Sequence, residues 1–386
     1  MRRLRIALLT HSTNSRGGVV HFRELAAALE RLGHAVTLHA PAVDGARFAR
    51  EPACAVALVP AAPAPASVSA LVALRRSEFA RWFAAHPPDF DVYHAGDGLG
   101  AHVFADLVEA GTIERFALTV HHLDDFIDPA ARAAQRRSIE TAAELLCVSE
   151  LWRARLAADF GRTATRIRNG VDLQRFHPGP VPADAAELAR LGLVPDRPFL
   201  LSVGGFEPRK NTLRIVEAFA HARRREPELV LVIAGGASVL DHRTYATAVR
   251  ARIAELGLGE GAVRVTGPVS DGGIEALYRG ARSLLFPSLV EGFGLAVLEA
   301  LACGTPPIVA RRQPFLDYVP SCGAIFVDPE NPLEIASAIS ALGDDRIASR
   351  VVTAGLSVVS THTWHATARG CEPVYERLLS GALTRA

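Results

Sequence analysis

The feature that most constrains the fold is one short phrase written many times. It consists of a brief apolar run, a loop of glycine and small polar residues, then apolar residues at helical spacing. Residues 4–10, LRIALLT, form the first run, of the kind used by parallel strands buried on both faces. A loop of Gly, Ser and Asn follows. From Val19 to Leu32 the residues Val20, Leu25, Leu29 and Leu32 recur at helical spacing, and Gly33 stops the helix. AVTLHA reads as the next strand, which completes a β-loop-α-β unit, the half-turn of a doubly wound sheet. Further strands are predicted at 91–95, 116–122 and 144–150, with helices at 97–110, 129–142 and 150–160. Three prolines in NGVDLQRFHPGPVPAD (169–184) mark a linker. Beyond it the phrase resumes, with strands at 198–205, 229–236, 262–267, 283–288, 306–310 and 323–328 and helices at 211–224, 243–256, 272–280 and 295–302. Closing helices are expected at 332–342 and 364–380. The expected class is α/β, with two Rossmann-like doubly wound parallel-sheet domains at 1–177 and 178–361 and a final segment at 362–386.

A chain of 386 residues outgrows a single core, which agrees with two domains of roughly 150–200 residues each. A net charge of +1 creates no global field that would draw in nucleic acid or an anionic membrane. LRIALLT is too short for the apolar core of a signal peptide and is followed by no cleavage signature. ACAVALVPAAPAPA (53–66) comes nearest to a membrane span, but three prolines interrupt it, and no stretch reaches the ~20 apolar residues a span needs. The five cysteines show no CxxC spacing and read as reduced thiols in a cytoplasmic protein.

In open α/β sheets, ligands bind beyond the carboxyl ends of the strands, so the loops after strands are the candidate sites. After the first strand, THSTNSRGGV offers Asn14, Arg16, Gly17 and Gly18 ahead of a helix start, where backbone N–H groups can approach an anion. A plain tight turn would read the same way. SVGGFEPRKN opens the second half. Lysine and arginine number 42, and Lys210 in this loop is the single lysine among them. A compact ammonium with three donors suits a phosphate as a point charge, whereas arginine presents a planar fork. Asparagine is also scarce (Asn14, Asn169, Asn211 and Asn331), and three of the four fall in loops of this kind. The densest stretch is FPSLVEGFGLAVLEALACGTPPIVA (286–310). Glu291 stands in the loop and Glu299 on the helix, with GFG between them placing backbone N–H groups at the helix start.

EGFGLAVLE matches the E-x7-E motif, and the chain thereby resembles the retaining, family-4 glycosyltransferases of the GT-B fold. NSRGGV, DVYHAGD, TVHHLDD, LLCVSE, NGVDLQRFHP, SVGGFEPRKN, VIAGG, VTGPVSD and THTWHATA extend the resemblance along almost the whole chain. It implies two domains facing each other across a cleft, the first mainly for the acceptor and the second for a nucleotide-diphosphate sugar, with the last helix crossing back onto the first. By the same resemblance, Glu299 holds ribose hydroxyls, Glu291 contacts the transferred sugar and Lys210 neutralises the diphosphate. The N–H groups of Phe293, Gly294 and Leu295 cap the distal phosphate, Gly18 approaches it from the first half, and His121 stands near the anomeric centre. Gly267 and Val269 are where backbone contacts to the base are expected. One departure matters. The family usually has arginine after the glycine of V-G-R, sharing the diphosphate with the lysine. Here that position is Gly205, so Arg209 or another arginine substitutes, or Lys210 acts alone. Pro307 stands where the family commonly has valine.

His121, His122, Asp124 and Asp125 could be read as a metal cluster. Neighbours on a strand point to opposite faces, however, and no metal is expected. His94 and Asp97 are expected to line the cleft. The sequence thus points to a hexosyltransferase that needs no metal, with a nucleotide sugar and an unidentified acceptor as partners. A nucleotide-sugar 2-epimerase of the same fold and a non-catalytic nucleotide-sugar-binding protein are the alternatives. The absence of GxGxxG disfavours a dehydrogenase.

Overall fold

The computed structural model describes residues 2–14, 16–65, 67–126, 128–179, 181–194, 197–235 and 242–381. Among them the chain forms two compact units. One takes the chain up to Gly170 and again from Thr363; the other is Val171–His362.

The first unit runs β1 (Arg5–Leu9), α1 (Gly17–Arg31), β2 (Ala35–Val43), β3 (Ala55–Ala61), α2 (Val68–Ala85), β4 (Val92–Ala95), α3 (Gly98–Glu109), β5 (Ala117–Val120), α4 (Pro129–Thr141), β6 (Glu144–Cys147), α5 (Glu150–Phe160) and β7 (Thr165–Arg166). Its seven strands lie in the order β3-β2-β1-β4-β5-β6-β7, and all pairings are parallel. β4, β5 and β6 are buried along their whole length, because helices cover both faces of a parallel sheet. Three elements were not anticipated from the sequence, β3, α2 and the two-residue β7. Pro60 argues against a strand, yet β3 is the edge strand, where a missing N–H costs no ladder bond.

The second unit runs α6 (Asp184–Arg190), β8 (Phe199–Val203), a 3-10 turn at Pro208–Lys210, α7 (Thr212–Arg223), β9 (Val230–Ala234), α8 (Arg243–Glu255), β10 (Val263–Gly267), α9 (Asp271–Gly280), β11 (Ser283–Phe286), α10 (Leu295–Ala302), β12 (Pro307–Ala310), α11 (Phe315–Tyr318), β13 (Ile325–Val327), α12 (Pro332–Ala341) and α13 (Asp345–Thr361). Six strands lie in the order β10-β9-β8-β11-β12-β13, again parallel. Leu200, Leu231, Ile233, Leu285 and Ile308 from the sheet pack with Ile215, Phe219, Ile335 and Ile339 from α7 and α12 to make the core.

The last helix, α14 (Trp364–Ser380), returns to the first unit and packs against α1 and β4. Thr363 caps it by accepting from the Ala366 N–H at 3.2 Å. Arg377 reaches Glu144 at 2.7 Å and the Thr165 hydroxyl at 2.9 Å. Gly170 makes the approach possible, since a side chain there would fall 2.3 Å from the Trp364 nitrogen.

Candidate active site

In the second unit the strand order changes direction between β8 and β11. The loops leaving these two neighbours flank the crevice where sheets of this type hold ligands. After β8 the chain passes Gly204 and Gly205, at φ 121° and 63°, and reaches α7 through Asn211, at φ 64°. A side chain at Gly204 would sit 2.8 Å from Lys210 Cε, so this glycine lets the lysine lie across the turn. Asn211 ties the loops together, its Nδ2 donating to the carbonyls of Pro287 at 3.0 Å and Pro329 at 2.6 Å. The Leu289 N–H donates to the Arg209 carbonyl at 2.8 Å.

This stitching brings four charges together. Lys210 Nζ donates to Glu291 Oε2 at 2.5 Å and lies 4.3 Å from the centre of the Phe286 ring. Arg209 Nη1 lies 3.3 Å from Glu291 Oε1, and its Nη2 lies 2.8 Å from Glu207. Glu291 is 9% exposed. Burial pushes the Lys210 ammonium below its usual pKa, and the Glu291 carboxylate opposes that shift. Burial also acts to raise the Glu291 pKa, but the charges of Lys210 and Arg209 outweigh it and hold the carboxyl below its ordinary value.

Beyond Glu291 the chain enters α10 through Gly294, at φ 91°. A side chain on Gly294 would meet Phe315 Cε1 at 2.7 Å. Glu299, on α10, accepts from the Tyr278 hydroxyl at 2.8 Å. Burial, with the Glu299 charge adding to it, raises the Tyr278 pKa well above normal, so the phenol remains a donor. The row of loops is laced sideways. The N–H groups of Gly204 and Gly205 donate to the Ala234 carbonyl at 2.8 and 3.1 Å, and Gly235 N–H donates to Gly267 O at 3.0 Å. Gly267, the last residue of the edge strand β10, thus belongs to the same row, with Val269 just beyond it. Lys210, Arg209, Glu291 and the Phe293–Leu295 turn come together at the crevice. Tyr278, Tyr318 and the stitching role of Asn211 are new. Both tyrosines lie outside the glycine loops, and no local pattern announces them.

The first unit has its own change of direction, between β1 and β4. Asn14, Arg16 and Gly17 lead into α1, with Arg16 N–H donating to Asn14 O at 2.8 Å. Gly18 lies against His121, whose Cδ2 would be 3.4 Å from a Cβ added there. His121 stands just beyond β5, edge-on to His21 with ring centres 4.8 Å apart. Burial, reinforced by the neighbouring histidines, lowers the His121 pKa well below its usual value and keeps the ring neutral. Its Nε2 finds no partner among the described residues. Asp97 caps α3 through Gly100 N–H at 2.8 Å and accepts from His11 N–H at 2.8 Å, which links the loops after β1 and β4. His94 requires a correction. It lines no cleft, being 0% exposed, with Nδ1 2.8 Å from the Tyr375 hydroxyl and Nε2 2.8 Å from Thr119 Oγ1. A position within β4, in a sheet covered on both faces, leaves it no route to solvent. His122 pairs with Asp124 at 3.2 Å, and the described residues contain no group of three or more His, Cys, Asp or Glu able to hold a metal. All five cysteines are free thiols. No helix among the described residues is long and apolar enough to cross a membrane.

Comparison with known proteins agrees with this layout. The profile of glycosyltransferase family 4 matches residues 15–175, and that of glycosyl transferases group 1 matches residues 185–354. D-inositol 3-phosphate glycosyltransferase 2 of Catenulispora acidiphila is 33% identical over 283 residues, which cover 69% of this chain and 63% of that protein. The chain thus spans somewhat less than two thirds of that relative's length. D-inositol 3-phosphate glycosyltransferase 1 of the same organism is 30% identical over 323 residues, covering 78% of this chain and 74% of that one. Among solved structures, sucrose-phosphate synthase from Thermosynechococcus elongatus superposes with a TM-score of 0.80 at 23% identity, covering 98% of this chain and 100% of that one. Anabaena HepE in complex with UDP-glucose gives 0.78 at 18% identity, with 98% and 100% covered; at these identities the likeness is one of fold. With one family profile on each unit and a relative matched along most of both chains, the protein belongs to family 4 of the glycosyltransferases and has the two parallel-sheet α/β domains of the GT-B class.

Proposed function

We propose that the chain transfers a hexose-type sugar from a nucleotide-diphosphate donor to an acceptor, with retention at the anomeric carbon. The observation that carries this reading is the meeting of Lys210, Arg209 and Glu291 beside the amino terminus of α10, at the change of direction of the second sheet. An ammonium has three donors, and Glu291 takes one of them at 2.5 Å. The others serve the diphosphate oxygens, together with the N–H groups of Phe293, Gly294 and Leu295. Arg209, 46% exposed and already beside Glu291, provides the second cation that Gly205 does not. Glu299 takes the ribose hydroxyls, Gly267 and Val269 flank the base, and Glu291 reads the sugar.

The anomeric C–O bond to the diphosphate breaks and leaves its electron pair on phosphate oxygen, where fixed positive groups stabilise it. The acceptor hydroxyl attacks from the same face, and its proton passes to that phosphate oxygen. The first unit provides for the acceptor through Asn14, Arg16, Gly17, Gly18 and Asp97. Neutral His121 serves as a hydrogen-bonding group at the reacting carbon rather than as a charge. No step in this scheme calls for a metal.

The test is a donor panel beginning with UDP-glucose, the ligand of HepE. Each nucleotide sugar is scored for thermal stabilisation, then incubated with candidate acceptors, with product anomers assigned by NMR. Retained configuration and release of the nucleoside diphosphate are expected. A product epimerised without any acceptor, or inverted at the anomeric carbon, would refute the proposal.

A further inference from the structure

We infer that Tyr318 is a positioning residue whose hydroxyl holds the Phe293–Gly294 turn so that the N–H groups of Gly294 and Leu295 point away from it, towards a ligand phosphate. The inference rests on the donor-binding reading above and adds to it the residue that sets the direction of those amides. Tyr318 comes from α11, on the far side of β12 in sequence, yet its hydroxyl reaches back to two consecutive carbonyls, Phe293 O at 3.2 Å and Gly294 O at 3.4 Å. Its ring stacks on that of Phe293, with centres 4.4 Å apart and planes 10° from parallel.

A trans peptide is planar, and its C=O and N–H point in opposite directions. Fixing the Phe293 carbonyl therefore fixes the Gly294 N–H on the other side, and fixing the Gly294 carbonyl does the same for Leu295. Neither N–H has an acceptor among the described residues. The turn is braced from behind as well. Gly294 lies against Phe315, Phe315 meets Phe286 edge-on at 5.9 Å, and Phe286 underlies Lys210 at 4.3 Å. The amide donors and the ammonium are thus built on one aromatic support. Burial holds the Tyr318 phenol well above its usual pKa, with the charge of Glu291 adding to the effect, so the hydroxyl keeps the proton it donates.

The single phenol proton is shared between the two carbonyls, both contacts are long for O–H···O, and the expected effect is accordingly modest. Tyr318→Phe keeps the stacked ring and removes only the donor. Wild type and variant are titrated calorimetrically with UDP, GDP and ADP and with the matching monophosphates. For the diphosphate that binds wild type best, Tyr318→Phe should weaken affinity roughly three- to tenfold. The monophosphate, which lacks the distal phosphate, should bind both proteins equally. Equal loss for both ligands would mean a structural role, and unchanged diphosphate affinity would mean none; either overturns the inference. Should the variant fail to fold, amide hydrogen exchange in the wild-type protein decides. Exchange at Gly294 and Leu295 should slow with the nucleoside diphosphate that binds best and not with its bare nucleoside, and identical exchange with both would refute the assignment. A wild-type protein that binds no nucleoside diphosphate would instead bring down the donor reading, and this inference with it.

Discussion

Lys210 lies mostly covered beside a carboxylate and over an aromatic face, in a gap shaped by Gly204. Each neighbour limits what can replace it. Lys210→Ala should lower turnover roughly a hundred- to a thousandfold, the usual loss for one preorganised donor at a developing charge. It should still fold, because Arg209 remains beside Glu291. Lys210→Arg should also be impaired, because a planar fork does not fit between Phe286 and Glu291 as a point charge does. Wild-type turnover in either folded variant would remove the role. Much of this cluster was legible in the sequence, because glycine turns and a solitary lysine are local signals. The pairing of Lys210 with Glu291, 81 residues apart, was not. Nor were Tyr278 and Tyr318, whose hydroxyls matter only through partners brought close by the fold. His94 misled for the same reason. A histidine at the end of a strand reads as a loop ligand until the helix that covers it is known.

At the scale of elements, α14 buries an apolar face of Trp364, Ala368, Cys371, Val374 and Leu378 in the first unit, and polar partners inside the core fix its seat. His94 bridges Tyr375 and Thr119, His21 bonds Asn169 at 2.9 Å and meets Trp364 edge-on, and Thr367 donates to the Arg168 carbonyl at 2.7 Å. Burial lowers the pKa of His94 to about 3 and that of His21 to about 4. In the unfolded chain both titrate near 6.5. Below that pH the unfolded state gains protons that the folded state refuses, so stability falls as pH drops from about 6.5 towards 4. Each histidine should cost about 2 kcal/mol by pH 5. Melting curves between pH 7.5 and 5 should show the first unit losing stability, and His94→Gln, which keeps hydrogen-bonding capacity, should flatten the dependence. An equal slope in that variant would show that His94 is not responsible. Most elements lay within a residue or two of their sequence expectation, because buried parallel strands are written as apolar runs. β3 and α2 were missed where three prolines and a weakly amphipathic helix obscured the pattern, α13 where a helix follows another almost without a break, and β7, α6 and α11 because two to seven residues are too few to show a period.

Taken whole, the molecule is two sheets of similar plan, with the second unit inserted between β7 and α14 of the first. The loops that flank each change of direction, two in each sheet, carry most of the residues proposed for acceptor and donor. Removing everything after residue 362 should abolish the cooperative melting transition of the first unit while that of the second persists, as calorimetry would show; two intact transitions would mean that α14 is dispensable. The return of α14 also sets an order of events during synthesis. The inserted unit leaves the ribosome complete and free to fold, while the unit that began first still lacks the helix that covers His94 and Trp364's aromatic neighbours. For the time it takes to translate the second unit, the first waits with part of its interior uncovered.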